Sequence, residues 1–220
     1  MDIRVIHTGD GSTTLFNEQL NEHYHSIHGA LTESRHVFIQ HGFIPALGLG
    51  KPLRILEVGL GTGLNAALTA AESETRNCAV RYVALEPFPV AEDLLYQLNY
   101  NILLSPAETA YWEQIHAQPW ETENALGPYF TFQKRQMGIL DITETQPFHL
   151  IYFDAFAPEK QPDMWTLPVL EKCYALLADG GHFITYCAKG QLKRDLKQCG
   201  FRVEARPGPP GKREITLAIK

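Results

Sequence analysis

The residues with the clearest chemical potential are Glu57-Val58-Gly59-Leu60-Gly61-Thr62-Gly63, which close the apolar run LRILEV. Glycines at alternate positions let a chain turn tightly and approach a ligand, and a helix that follows offers unpaired N–H groups. A pyrophosphate-gripping loop follows the pattern GxGxxG; here the third glycine comes one residue early, and an acid stands two residues before the first. An acid at that point suits a ligand with cationic groups and would repel a pyrophosphate. S-adenosylmethionine, with its α-ammonium and sulfonium, is such a ligand. Glu57, Gly59, Gly61 and Gly63 are therefore read as cofactor-binding.

Three further acids fall at ends of apolar runs. Glu86, closing RYVALE, is placed to accept both hydroxyls of a ribose, a role shared by doubly wound nucleoside sites. Asp141 in GILDIT is read as a contact to an adenine amino group. Asp154, which ends HLIYFD and is followed by Ala155-Phe156-Ala157-Pro158, brings an acid and a ring to a strand tip, where ligands of open α/β sheets bind. It is the candidate catalytic residue. His23, His25, His28, His36 and His41 lie close together, but no HExxH pattern or nearby cysteine accompanies them. No metal is expected; the histidines are read as framing the mouth of the site.

These residues need a scaffold, and the chain alternates as one. Strands are expected at 53–59, 81–87, 129–136, 149–156 and 182–188. Helices are expected at 64–72, 90–100, 107–117, 165–178 and 190–199. The first fifty residues are expected to be irregular, with a helix or two between Asn17 and Phe43. The ending is diagnostic. The strands at 201–205 and 214–219 are joined by too few residues for a parallel crossover, which takes a dozen or more, so they must form an antiparallel hairpin. Five parallel strands and a terminal hairpin are the order of class I methyltransferases, a Rossmann-like doubly wound α/β fold. A dinucleotide-binding domain would close on parallel strands.

The bulk properties are compatible with one domain spanning all 220 residues, the first fifty preceding the sheet. There is no apolar run of the roughly 20 residues a membrane helix takes, and no apolar leader opens the chain. Cys78, Cys173, Cys187 and Cys199 show no CxxC spacing and read as reduced thiols, which fits a cytoplasmic protein. The net charge of −6 is unevenly spread: residues 189–220 carry nine Lys/Arg against three Asp/Glu. A basic end on an acidic body can dock phosphates.

HYHSIHGALTESRHVFI (23–39), EVGLGTGLN (57–65), DAFAPEKQPDMW (154–165) and GKRE (211–214) occur in this order across most of the chain. Together they resemble the bacterial tRNA methyltransferases that complete the 5-methylaminomethyl group of wobble uridine, the MnmD-like proteins and the methyltransferase half of MnmC-type bifunctional enzymes. The resemblance implies methyl transfer from S-adenosylmethionine to the primary amine of 5-aminomethyl(-2-thio)uridine in a tRNA anticodon loop. It implies neither a metal nor a flavin, no oxidase domain in this chain and no obligate protein partner. On this reading Phe156 and Trp165 would wall in an extruded base, and Lys160, Lys189, Lys193, Arg194, Lys212 and Arg213 would hold phosphates. The alternatives are a class I methyltransferase acting on a small molecule or protein, and a nucleoside-binding module without catalysis.

Overall fold

The computed structural model describes residues 3–220. Its centre is an eight-stranded sheet. Five of its strands are β4 (Leu53–Val58), β5 (Val80–Leu85), β7 (Phe130–Arg135), β8 (Phe148–Phe153) and β9 (Leu177–Thr185). These run parallel in the order β7-β5-β4-β8-β9. β4 is buried along its whole length, as expected of a strand covered on both faces. The chain ends in an antiparallel hairpin, β10 (Arg202–Pro207) and β11 (Glu214–Ile219), and β11 inserts antiparallel against β9. The expected topology is therefore present. A two-residue strand, β6 (Asn124–Ala125), pairs antiparallel with β7 at the far edge.

Helices pack on both faces: α3 (Leu64–Thr75), α6 (Pro106–Ala117), α7 (Leu167–Leu176) and α8 (Gly190–Gln198). α6 starts where the sequence favours a start. The Ser105 side chain and Glu108 form a reciprocal capping box, and Pro106 follows the cap, where its missing N–H costs nothing. Its C-terminal end is held by Lys134 of β7, whose ammonium donates to the carbonyls of Ile115 and His116 at 3.1 and 2.9 Å. A cation satisfying the last carbonyls of a helix explains a buried lysine in an otherwise apolar strand face.

Three expectations are corrected. The stretch 90–100 is two short turns, α4 (Glu92–Leu95) and α5 (Tyr100–Leu103), rather than one helix. The helix expected over 165–178 is α7, Leu167–Leu176, and β9 begins directly after it at Leu177. The first fifty residues are also more ordered than expected. β1 (Ile3–His7), β2 (Thr13–Asn17) and β3 (Glu22–His23) form an antiparallel sheet. A continuous helical segment follows, with α1 (Ala30–Ser34), a π-helical stretch Arg35–Phe43 and α2 (Ile44–Ala46). Val37, Phe38 and Phe43 are buried in the main core, so this segment is part of the domain's packing and brings 22–33 against the sheet's carboxyl ends.

Candidate active site

The carboxyl ends of β4, β5 and β8 open into a cavity of about 550 Å³, within the range that holds a nucleoside-sized ligand. Its base is the glycine loop. Gly59 has φ +92°, and a Cβ there would stand 2.8 Å from the Asp154 carbonyl. Only glycine allows β4 and β8 to meet so closely at their tips, where the Asp154 N–H donates to the Val58 carbonyl at 2.9 Å. Gly61 has φ +51°, and a Cβ would press on the Tyr24 ring at 3.3 Å.

Glu86 lines the cavity beside the loop. One carboxylate oxygen accepts from the Gly61 N–H and the other from the Phe88 N–H, both at 3.0 Å. These bonds fix the carboxylate's direction and leave each oxygen a further lone pair for a ribose hydroxyl. Burial raises its pKa, partly offset by the two backbone bonds.

Asp154 also lines the cavity. Asn65, in the first turn of α3, donates one amide hydrogen to Asp154 at 2.8 Å and the other to Glu57 at 3.1 Å. Burial raises the Asp154 pKa to about 7, with Glu33 adding to the rise and Asn65 and Lys212 opposing it. Glu57 is fully buried, and burial reinforced by Asp154 pushes its pKa well up. It does not line the cavity. It lies behind Asn65, anchoring the amide that orients Asp154.

The N-terminal segment supplies a wall of which the sequence named only the histidines. Tyr24 packs edge-on against Phe156, ring centroids 5.0 Å apart, and both line the cavity. His25 also lines it, with Nδ1 2.8 Å from the Thr14 hydroxyl. Burial lowers its pKa to about 4, so it is a neutral imidazole at physiological pH. His23 lines the cavity too, whereas His36 and His41 pair with each other at 4.7 Å and His36 Nε2 lies 2.8 Å from the Pro207 carbonyl. Only some of the histidines frame the mouth. Among the described residues no His, Cys, Asp and Glu side chains converge as metal ligands.

Other assigned residues are placed differently from the sequence reading. Trp165 is buried, donates its indole N–H to the Phe156 carbonyl at 2.7 Å and packs on Phe153. It supports Phe156 and does not face the cavity; Gln161 and Met164 of the same segment do. Asp141 is exposed and outside the cavity lining, which Gly138 and Ile139 reach instead. Lys212 turns inward, with its ammonium 2.5 Å from a Glu33 oxygen. Lys189 pairs with Glu159 and Lys193 with Glu214. Lys160 lies outside the cavity lining, and Arg194 and Arg213 are exposed.

The donor set fits a methyl-donor nucleoside: a glycine cradle that a Cβ would fill, a fixed carboxylate beside it able to accept from hydroxyls, and a second acid, Asp154, in the same lining. Comparison with known proteins agrees. Residues 133–220 match the family described as "S-adenosyl-L-methionine-dependent methyltransferase". The fold is thus that of class I S-adenosylmethionine-dependent methyltransferases. Within that class the chain is similar to the tRNA 5-methylaminomethyl-2-thiouridine biosynthesis bifunctional protein MnmC of Paracidovorax citrulli, at 31% identity over 213 residues. That alignment covers 91% of this chain and 33% of the relative. The protein of the same name from Ectopseudomonas mendocina is 33% identical over 211 residues, covering 87% of this chain and 31% of the relative. The chain spans about a third of the length of these curated relatives. The crystal structure of MNMC2 from Aquifex aeolicus superposes with a TM-score of 0.82 at 25% identity, over 98% of this chain and 70% of that one. No helix among the described residues is long and apolar enough to cross a membrane.

The two acids nearest the glycine loop should separate in a binding experiment. Glu86→Ala is expected to weaken S-adenosylhomocysteine by about 1–3 kcal/mol, the loss of hydrogen bonds to a charged acceptor. Glu57→Gln, an isosteric change at a buried side chain outside the cavity lining, should bind it within about 0.5 kcal/mol of the parent, the variation usual for a change that keeps its hydrogen bonding. Calorimetry reads both; a large loss on Glu57→Gln would return Glu57 to the role of ligand-facing anion.

Proposed function

We propose that the chain methylates the primary amine of 5-aminomethyl(-2-thio)uridine at the wobble position of tRNA, giving the 5-methylaminomethyl group. The observation that carries this reading is the cavity's lining, in which the interacting acids Asp154 and Glu33 are joined by the Tyr24–Phe156 ring pair. Carboxylates there suit an amine, and aromatic rings suit a flat base removed from its stack. The printed names of the similar bacterial proteins point to the same modification. S-adenosylmethionine, held against the glycine loop and Glu86, supplies a methyl group bonded to a positively charged sulfur.

The residues of this chain then have three tasks. Glu86 and the loop fix the donor, Tyr24 and Phe156 fix the acceptor, and alignment of the two supplies much of the rate. The amine nitrogen must expose its lone pair. Asp154 takes the proton that the ammonium loses; the nitrogen forms a bond to the methyl carbon as the carbon–sulfur bond breaks, and S-adenosylhomocysteine leaves. The pKa of about 7 at Asp154 is suited to accepting a proton near neutral pH. Asn65 keeps the carboxylate turned toward the cavity.

The test is incubation of the purified protein with S-adenosylmethionine and tRNA bearing 5-aminomethyl-2-thiouridine, followed by nucleoside mass spectrometry. Conversion to the 5-methylaminomethyl nucleoside is expected. Turnover of a small molecule or protein in its place, with tRNA inert, would favour the alternative class I activity.

A further inference from the structure

Lys212 sits in the turn between β10 and β11, yet its ammonium is held inside the cavity. A Glu33 oxygen lies 2.5 Å away, and the face of Tyr186 is 4.1 Å from Nζ to the ring centroid. Both partners are themselves fixed. The other Glu33 oxygen accepts from the Ser26 N–H at 2.7 Å, and the Tyr186 hydroxyl donates to the Ala155 carbonyl at 2.9 Å. A carboxylate and an aromatic face meeting at one point are how a primary ammonium is recognised. All three residues line the same cavity as Asp154.

We propose that Glu33 and Tyr186 form the seat for the acceptor's primary ammonium, and that Lys212 occupies this seat until the substrate displaces it. The inference rests on an amine acceptor, as proposed above. The lysine side chain ends in the same CH2–NH3+ group that an aminomethyl substituent presents, so one seat takes either. The turn carrying Lys212 also carries the exposed Arg213. When a polyanion reaches that turn, the Lys212 ammonium has a phosphate to move to, and the vacated seat takes the substrate's ammonium beside Asp154. An acceptor without phosphates offers Lys212 no such exchange and competes with it unaided. Discrimination in favour of the amine on a polynucleotide follows from this competition.

The experiment is binding of the nucleoside 5-aminomethyluridine, with 5-methyluridine as the reference, to the S-adenosylhomocysteine complex of each protein. Folding of each variant is checked by its thermal transition. Lys212→Met removes the resident ammonium and keeps an unbranched side chain. It is expected to bind 5-aminomethyluridine about tenfold more tightly than the parent, with 5-methyluridine unchanged. Glu33→Gln should erase the preference for the aminomethyl nucleoside. Equal or weaker binding of 5-aminomethyluridine by Lys212→Met, including no measurable binding, overturns the seat, as does an undiminished preference in Glu33→Gln. Failure of the proposed function is read separately, as absence of tRNA methylation by the parent protein, and a seat for ammonium detected in that case would point to a different amine substrate.

Discussion

Asp154→Asn is expected to lose roughly 10²–10⁴-fold in turnover, the usual contribution of a positioned proton acceptor, while the folded protein becomes more stable. The two effects have one origin. The Asp154 carboxyl titrates at about 7 in the folded protein, raised from 3.8 by burial. Between those values the folded state holds a proton that the unfolded chain has released, so stability falls as pH rises from about 4 through 7. Above 7 the charged form carries its full desolvation cost. Asparagine has no charge to desolvate, and a gain of about 1–3 kcal/mol at pH 8 is expected, shrinking to near zero at pH 4. In the parent enzyme, kcat/KM should fall below pH 7 as Asp154 becomes protonated. Thermal melts across pH and a pH–rate profile check both; near-normal turnover in the variant would reduce Asp154 to a turn residue.

The parts of the site that could be read in the sequence are those set by contacts along neighbouring stretches of chain. Gly59 and Glu86 end strands, and a strand end in an open α/β sheet is a predictable place. Asp154 and Phe156 follow from the same rule. Glu57 obeyed the motif but stands outside the cavity lining, buried behind an asparagine that it shares with a second acid. Trp165 looked like a free ring and proved to be a donor to the Phe156 carbonyl. Its indole N–H is polar and, once the ring is buried, needs such a partner.

What remained hidden depends on contacts between distant parts of the chain. Glu33 and Lys212 meet across 179 positions, and neither residue type announces the other. The N-terminal sheet was missed because β1 and β2 are five residues long and β3 two, too short for periodicity to stand out, and Thr and His replace the usual apolar alternation. Tyr24 and His25 reach the cavity only because that sheet folds over it.

Binding of tRNA is expected to weaken about 100-fold between 50 and 200 mM salt, through fewer cations than the basic end of the chain contains. Pairing removes several of its charges from the account: Lys189 with Glu159, Lys193 with Glu214, and Arg202 and Arg206 with Glu204. Among the described residues, Lys160, Arg194, Lys197 and Arg213 carry no such ion pair on this side of the molecule. With Lys212, once displaced from Glu33, these make about five phosphate contacts, a slope of log affinity against log salt near −3.5, which gives the roughly 100-fold change. Arg194→Ala and Arg213→Ala should each flatten the slope by about 1 and leave S-adenosylhomocysteine affinity intact, since both side chains are exposed and outside the cavity lining. Nitrocellulose-filter binding over a salt series measures the slope. A slope near zero, or one unaltered in the double variant, would mean that the tRNA approaches over another face and that the basic residues of this end only solvate it.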